Sequence, residues 1–210
     1  MAVMQGVVNA PSSTSSPDGT NPLLLQGKAG EGVVAELHGK WYTAAYRSRV
    51  FSGSVAAVTL PTNASNLVSV FSLFNPANSP VNLELLSFNW AYVVATTVVN
   101  GIGLYYQRIG GAVTIPTSQT AGTVTSGLIG NTASPQALFL SAATHVGTPV
   151  LGTIMGYTGA VTSTAANINK YEFDGKIIVP PNTIVSIAMT TAASTASGFT
   201  GSIDWCEWPL

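Results

Sequence analysis

Two histidines, His38 and His145, are the only imidazoles in this chain of 210 residues. Any general-base or metal chemistry would have to start from them. They stand far apart in sequence, each beside turn-like residues, and no Cys/His cluster supplies the three or four closely spaced ligands of a zinc site. No Gly-x-Ser-x-Gly elbow accompanies them, so a Ser/His/Asp arrangement cannot be assembled. Among the acids, Glu172 and Asp174 sit at i and i+2, a spacing that on a strand puts both carboxylates on one face, as in a glycan hydrolase. Lys170 and Lys176 flank them, and a charge-balanced strand end is the simpler reading. Asp204 and Glu207 add two more acids, but nothing in the sequence brings them within the roughly 5 to 9.5 Å that glycoside chemistry uses. Gly101-Ile102-Gly103 lacks the third glycine and the following helix of a dinucleotide site. Asn63-Ala64-Ser65 is a formal glycosylation triplet with no secretory signal to support it. The single cysteine, Cys206, rules out an internal disulfide and reads as a small buried hydrophobe between two tryptophans. The expectation is a protein that is not an enzyme and holds no cofactor or metal.

Composition points instead to the surface. Hydrophobic residues make up 46% of the chain and charged residues only 7%, where a globular domain carries about 25% charged. Seven Lys+Arg against eight Asp+Glu give a net charge of -1, which leaves no electrostatic footprint for nucleic acid. Apolar runs such as Trp90 to Ala95 fall well short of the ~20 residues that span a bilayer. The N-terminus has no signal-peptide pattern, so a soluble chain without a membrane partner is expected. Polar coverage must come from Ser, Thr, Asn and Gln, a surface that copies of the chain can bury without stranding charge. Lys40, Arg47 and Arg49 form the one basic concentration, with Arg47 and Arg49 on one face if that stretch is a strand. Trp41, Tyr42, Arg47, Arg49, Asn75, Tyr105 and Tyr106 are the candidate interface residues. Trp90, Met155, Trp205 and Trp208 are equally readable as core.

The elements that must carry these residues are strands. Residues 1–35 contain SSTSSPDGTNP, a Ser/Pro/Asn/Gly cluster without apolar periodicity, and read as an extended or flexible arm. Residues 36–210 read as one β domain: GKWYTAAYRSRVFSGS, VAAVTL, LVSVFSLF, VNLELLSFNWAYVV, GIGLYYQR, ALFLSA, VLGTIM, KIIV, TIVSIAMTT and FTGSIDWCEW are short, rich in β-branched and aromatic residues, and bounded by Gly, Pro or Asn. In VNLELL, Val81, Leu83 and Leu85 alternate with Asn82 and Glu84, and in SIDWCEW, Ile203 and Trp205 alternate with Asp204 and Cys206. No fixed-period repeat is present, so an antiparallel sandwich or barrel is predicted. Pro180-Pro181-Asn182 ends KIIV in a hairpin or a sheet-to-sheet corner. Asn100-Gly101 reads as a tight turn, and NPANSP as a loop at one end of the sandwich.

FSLFNPANSPVNLELLSFNWAYV, the FDGKIIVPPNTIVSIAM segment and the Trp-rich final strand SIDWCEWPL together resemble the corresponding stretches of a group of jelly-roll virion proteins of tailed bacteriophages, over residues 39 to 210. The resemblance implies a jelly-roll sandwich that decorates or cements a phage head. It further implies a homotrimer whose partners are its own copies and the major capsid protein, assembled in the host cytoplasm and carried on the virion surface. A second expectation, of a different class, is a carbohydrate- or receptor-binding jelly-roll module of a tail or fibre, with Tyr105, Tyr106 and the Asn75 loop as the residues to bind a glycan.

Overall fold

A computed structural model describes residues 39–58, 68–69, 71–94, 100–108, 119–145, 148–158, 168–190 and 198–210. The expected arm, His38 and the Asn63 triplet lie outside them. The chain divides after Thr43, and the sandwich lies within Ala44–Leu210.

The strands pair as a long hairpin rolled on itself. The first, β1 (Val50–Val58), pairs with the last, β13 (Gly198–Pro209). Inside that pair, β3 (Ser72–Asn75) joins β12 (Thr183–Met189). Next inward, β4 (Val81–Val94) joins β10 (Ile168–Glu172) and β11 (Ile178–Val179). Innermost, β5 (Asn100–Arg108) joins β9 (Val150–Thr158). All these pairs are antiparallel, and they fall alternately into two sheets. β1, β13, β4 and β10 form one sheet, and β3, β12, β5 and β9 form the other. This is the double-sheet jelly roll. Between β5 and β9 the chain inserts β6 (Gln119–Ala121), β7 (Thr123–Ser126) and β8 (Leu138–Thr144). β7 extends the first sheet beside β1, while β6 and β8, with β2 (Val68–Ser69), extend the second beside β3. Among the described residues the first sheet thereby has six strands and the second seven.

Side-chain alternation explains the core. Val81, Leu83 and Leu85 are buried between the sheets as expected, but Phe88 and Trp90 are buried there too, which strict alternation forbids. The register explains it: Trp205 pairs with Leu85 and Asp204 with Ser87, leaving Leu86 as an extra residue. This β-bulge shifts the inward phase by one. The adjacent leucines of LELLSFNW are its sequence trace. Ile203 and Trp205 also face inward, with Trp205 stacked on Phe51 at 5.9 Å and Phe88 on Trp90 at 5.2 Å. β12 is buried along its whole length, which accounts for the unbroken run TIVSIAM.

Several local readings change. Pro180-Pro181-Asn182 is a corner and not a hairpin, because β11 pairs with β4 in the first sheet and β12 belongs to the second. Asn182 takes a φ of 64° there, the left-handed conformation that asparagine tolerates. Asn100-Gly101 is no turn; the two residues open β5 opposite Thr158 and Tyr157. Gly101 is needed at that position because Thr190 packs where a side chain would stand. The stretch before β1 is a short helix, α1 (Tyr42–Tyr46), followed by a turn at Ser48 with φ 58°. Arg47 and Arg49 therefore do not share a strand face. Glu172 ends β10 while Asp174 lies in a turn with φ 49°, so the i, i+2 acid pair does not share one either.

Inter-sheet fit is tightest at Phe139 of β8, whose ring occupies the space that side chains on Gly53 and Gly122 would take. Gly53→Ala is therefore expected to destabilise the fold by about 1–3 kcal/mol through overpacking, read as a lower urea midpoint. Ser54→Ala, one residue on and exposed, should shift stability by no more than about 0.5 kcal/mol. Adding Phe139→Leu to Gly53→Ala should recover part of the loss.

Candidate interaction surface

Five strands of the six-stranded sheet, all but β11, carry a polar pair two residues apart: Thr123 and Thr125, Ser52 and Ser54, Ser202 and Asp204, Ser87 and Asn89, Lys170 and Glu172. Register brings these pairs into two rows that cross the sheet. One runs Thr125, Ser52, Asp204, Ser87, Glu172, and the other Thr123, Ser54, Ser202, Asn89, Lys170. Both rows face away from the core, because their neighbours Ile203 and Phe88 face into it. The face is almost free of uncompensated charge. Asp204 accepts a hydrogen bond from the Ser87 hydroxyl at 2.5 Å and another from the Asn89 amide at 3.1 Å. Lys170 pairs with Glu172 at 2.5 Å. Their hydrogen bond and opposite charge hold the ammonium above its usual range, with Asp204 adding to the effect. An open depression of about 430 Å³ lies on this face between Ser54, Asn89, Ala91, Thr200 and Ser202.

At the end of the same sheet, Trp208 donates its indole N–H to Glu84 at 2.5 Å, and the Arg49 guanidinium lies 5.5 Å from the Trp208 ring centre. This cluster combines an exposed aromatic with charges already engaged, a composition suited to an interface rim. Arg49 itself is half-buried. Tyr42 and Tyr106 are exposed and Trp41 is half-buried, with the Lys40 ammonium 4.9 Å from its ring centre. Arg47 is half-buried in the turn after α1.

Two candidates are internal. Asn75 is fully buried, and its amide donates to the carbonyls of Val81 and Val179, both at 2.9 Å. It braces the ends of β4 and β11 and does not present a loop tip. Tyr105 is fully buried as well, and burial raises its phenol above the ordinary range. The residues singled out for sugar binding are therefore reduced to Tyr106.

Among the described residues, several groups able to do chemistry are occupied in holding the fold. The Glu207 carboxylate is buried and accepts the backbone N–H of Gln136 at 3.0 Å, that of Ala137 at 2.9 Å, and the Trp205 indole N–H at 3.3 Å. It fastens the chain before β8 to β13 by charge-assisted hydrogen bonds. Asp204 projects from the other side of β13, so the two acids cannot act on one bond. Cys206 is fully buried, and desolvation, with Glu84 close by, pushes its thiol up to about 12; it is inert, as a small apolar residue is. Among the described residues no three of His, Cys, Asp and Glu gather to hold a metal ion, and no helix is long and apolar enough to cross a membrane.

Comparison with protein-family models, with curated proteins and with solved structures found no match. The geometry of the chain itself carries the functional argument.

The polar rows escaped the sequence reading although every pair was visible in it. Ser-x-Ser, Ser-x-Asn, Ser-x-Asp, Lys-x-Glu and Thr-x-Thr are each an ordinary strand face. Only the strand order β7-β1-β13-β4-β10 lines them up.

His145, 2% exposed, shares a 2.6 Å hydrogen bond between its Nε2 and the Ser186 hydroxyl, which lies 2.7 Å from the Ser72 hydroxyl. Its Nδ1 has no partner among the described residues, so protonation would bury an uncompensated charge. Desolvation lowers its pKa from 6.5 to about 4. Between those values the unfolded chain binds a proton that the folded chain does not, so stability falls as pH drops through this window. The loss should reach about 3 kcal/mol by pH 4. Denaturation across pH 4 to 7 checks it: His145→Gln should flatten the curve relative to the parent chain, and parallel curves would remove the role given to His145.

Proposed function

We propose that this chain is a structural protein of a virus particle, a decoration or cement protein of a tailed-phage head. In this reading it binds the major capsid protein through the outer face of the six-stranded sheet and associates with copies of itself. The observation that supports it is the pair of polar rows, in which only Asp204, Glu172 and Lys170 are charged. Burying an unpaired ion costs several kcal/mol; here Lys170 is paired with Glu172, and the Asp204 carboxylate accepts hydrogen bonds from Ser87 and Asn89. Covering such a face leaves a partner one net negative charge to meet, at Asp204. Its contacts would also respond little to salt, which screens exposed charges above all. Each copy would contribute modestly, and many copies bridging neighbouring shell subunits would act together. The glycan-binding alternative keeps only Tyr106 of the residues named for it, since Asn75 and Tyr105 are buried.

The test places one charge on the face. Ser54 is exposed in the middle of the second row, and Ser54→Glu should leave the circular dichroism spectrum and thermal midpoint near those of the parent. Binding to heads assembled without the chain, followed by co-sedimentation and electron microscopy, should weaken at least tenfold, a change of about 1.4 kcal/mol. Undiminished binding by Ser54→Glu would take the shell contact away from this face. Failure of the unaltered chain to bind any head would end the proposal.

A further inference from the structure

Among the described residues β9 is the last strand of the seven-stranded sheet and pairs on one side only, with β5. Its nine residues, VLGTIMGYT, contain no charge and no proline, two of the devices by which edge strands are usually protected from pairing. The register also contains two bulges. Leu151 pairs with Tyr105 and Thr153 with Leu104, leaving Gly152 extra; Ile154 pairs with Gly103 and Gly156 with Ile102, leaving Met155 extra.

Each extra residue resets the alternation, so residues three apart come to one face. Leu151, Ile154 and Tyr157 stand opposite Tyr105, Gly103 and Gly101, which are successive residues on one face of β5. All three are exposed, at 40%, 46% and 71%. Their spacing is that of alternate strand residues, about 7 Å, and Gly103 opposite makes room for the Leu151 side chain. Met155, between them, points into the core. The bulges thus turn an edge strand that would show isolated apolar groups into a continuous apolar row.

We infer that this row is a self-association surface: a second copy of the chain packs its own Leu151–Ile154–Tyr157 row against it, the two β9 strands running antiparallel about a twofold axis near Ile154. A contact of this kind requires the surface to be complementary to itself. The row meets that requirement in two ways. Having no charge, it brings no like charges together. Its spacing is symmetric about Ile154, so Leu151 of one copy meets Tyr157 of the other, small against large at both ends, while Ile154 meets its own equivalent. A partner of different chemistry would call for an asymmetric or charged row. The inference deepens the self-association part of the proposed function but uses the other sheet, away from the face assigned to the shell. A twofold contact closes a pair, so a third copy would need a further surface.

A cysteine placed on the axis tests the geometry. Cys206 is fully buried with its thiol pushed up, so an introduced thiol is the reactive one. Under mild oxidation Ile154→Cys should form a disulfide-linked dimer far faster than Ser54→Cys, which is exposed on the opposite sheet. Ile154→Lys should raise the dissociation constant of self-association at least tenfold in sedimentation experiments, with unchanged circular dichroism and thermal midpoint. Retained shell binding by Ile154→Lys would separate this contact from the one proposed on the six-stranded sheet. Equal cross-linking at positions 154 and 54, or a parent chain that sediments as a monomer at every concentration reached, would overturn the inference.

Discussion

The pairing of β13 with β1 on one side and β4 on the other is the constraint on which the rest depends. Three jobs meet on that strand. Ile203 and Trp205 supply its inward face, Ser202 and Asp204 supply the middle of both polar rows, and Glu207 fastens the chain leading into β8. Because side chains alternate strictly along a strand, these roles cannot be adjusted one at a time; a slip of a single residue would exchange the core and the surface together. The bulge at Leu86 keeps both halves of β4 in phase with β13 despite its shift of inward residues.

Scarcity of charge changes how such a sandwich is specified. Where few ions mark the outside, register must be fixed by shape and by hydrogen bonds. The bonds from Asn75 to Val81 and Val179, the fit of Phe139 over Gly53 and Gly122, and the amides held by Glu207 are all of this kind. The polar residues that look most suitable for binding are partly used up in this work. What stays outside, among the described residues, includes a face made mostly of hydroxyls and amides and an apolar edge at β9.

Much of the architecture was legible in the residues. The alternation of VNLELL and SIDWCEW placed the core correctly, and the conformation of Asn182 follows from Pro-Pro-Asn. The buried, inert state of Cys206 also agrees with its reading as a small hydrophobe. Other features depend on partners distant in sequence. Asn100-Gly101 has the composition of a tight turn, yet pairing with β9 draws it into a strand, tertiary context overriding local preference. Tyr105 and Tyr106 are adjacent and alike; one is buried and the other exposed, because neighbours on a strand face opposite ways. α1 was missed because five residues carry too little periodicity to separate a helical turn from a strand. TVTS is absent from the strands expected from sequence, although β7 widens the first sheet.

The rolled-hairpin connectivity has a consequence for how the chain reaches its structure. β5 and β9 meet first in the nested order, whereas Val50 must find Cys206 near the opposite end. Closing so long a loop comes before its contacts can reward it, and topologies dominated by distant pairings fold slowly. A chain emerging from the ribosome can bring together the strands of the seven-stranded sheet before β13 is released, but not those of the six-stranded sheet. For that interval β1 and β4 each present a bare margin where β13 will lie, open to strand-to-strand adhesion with other chains.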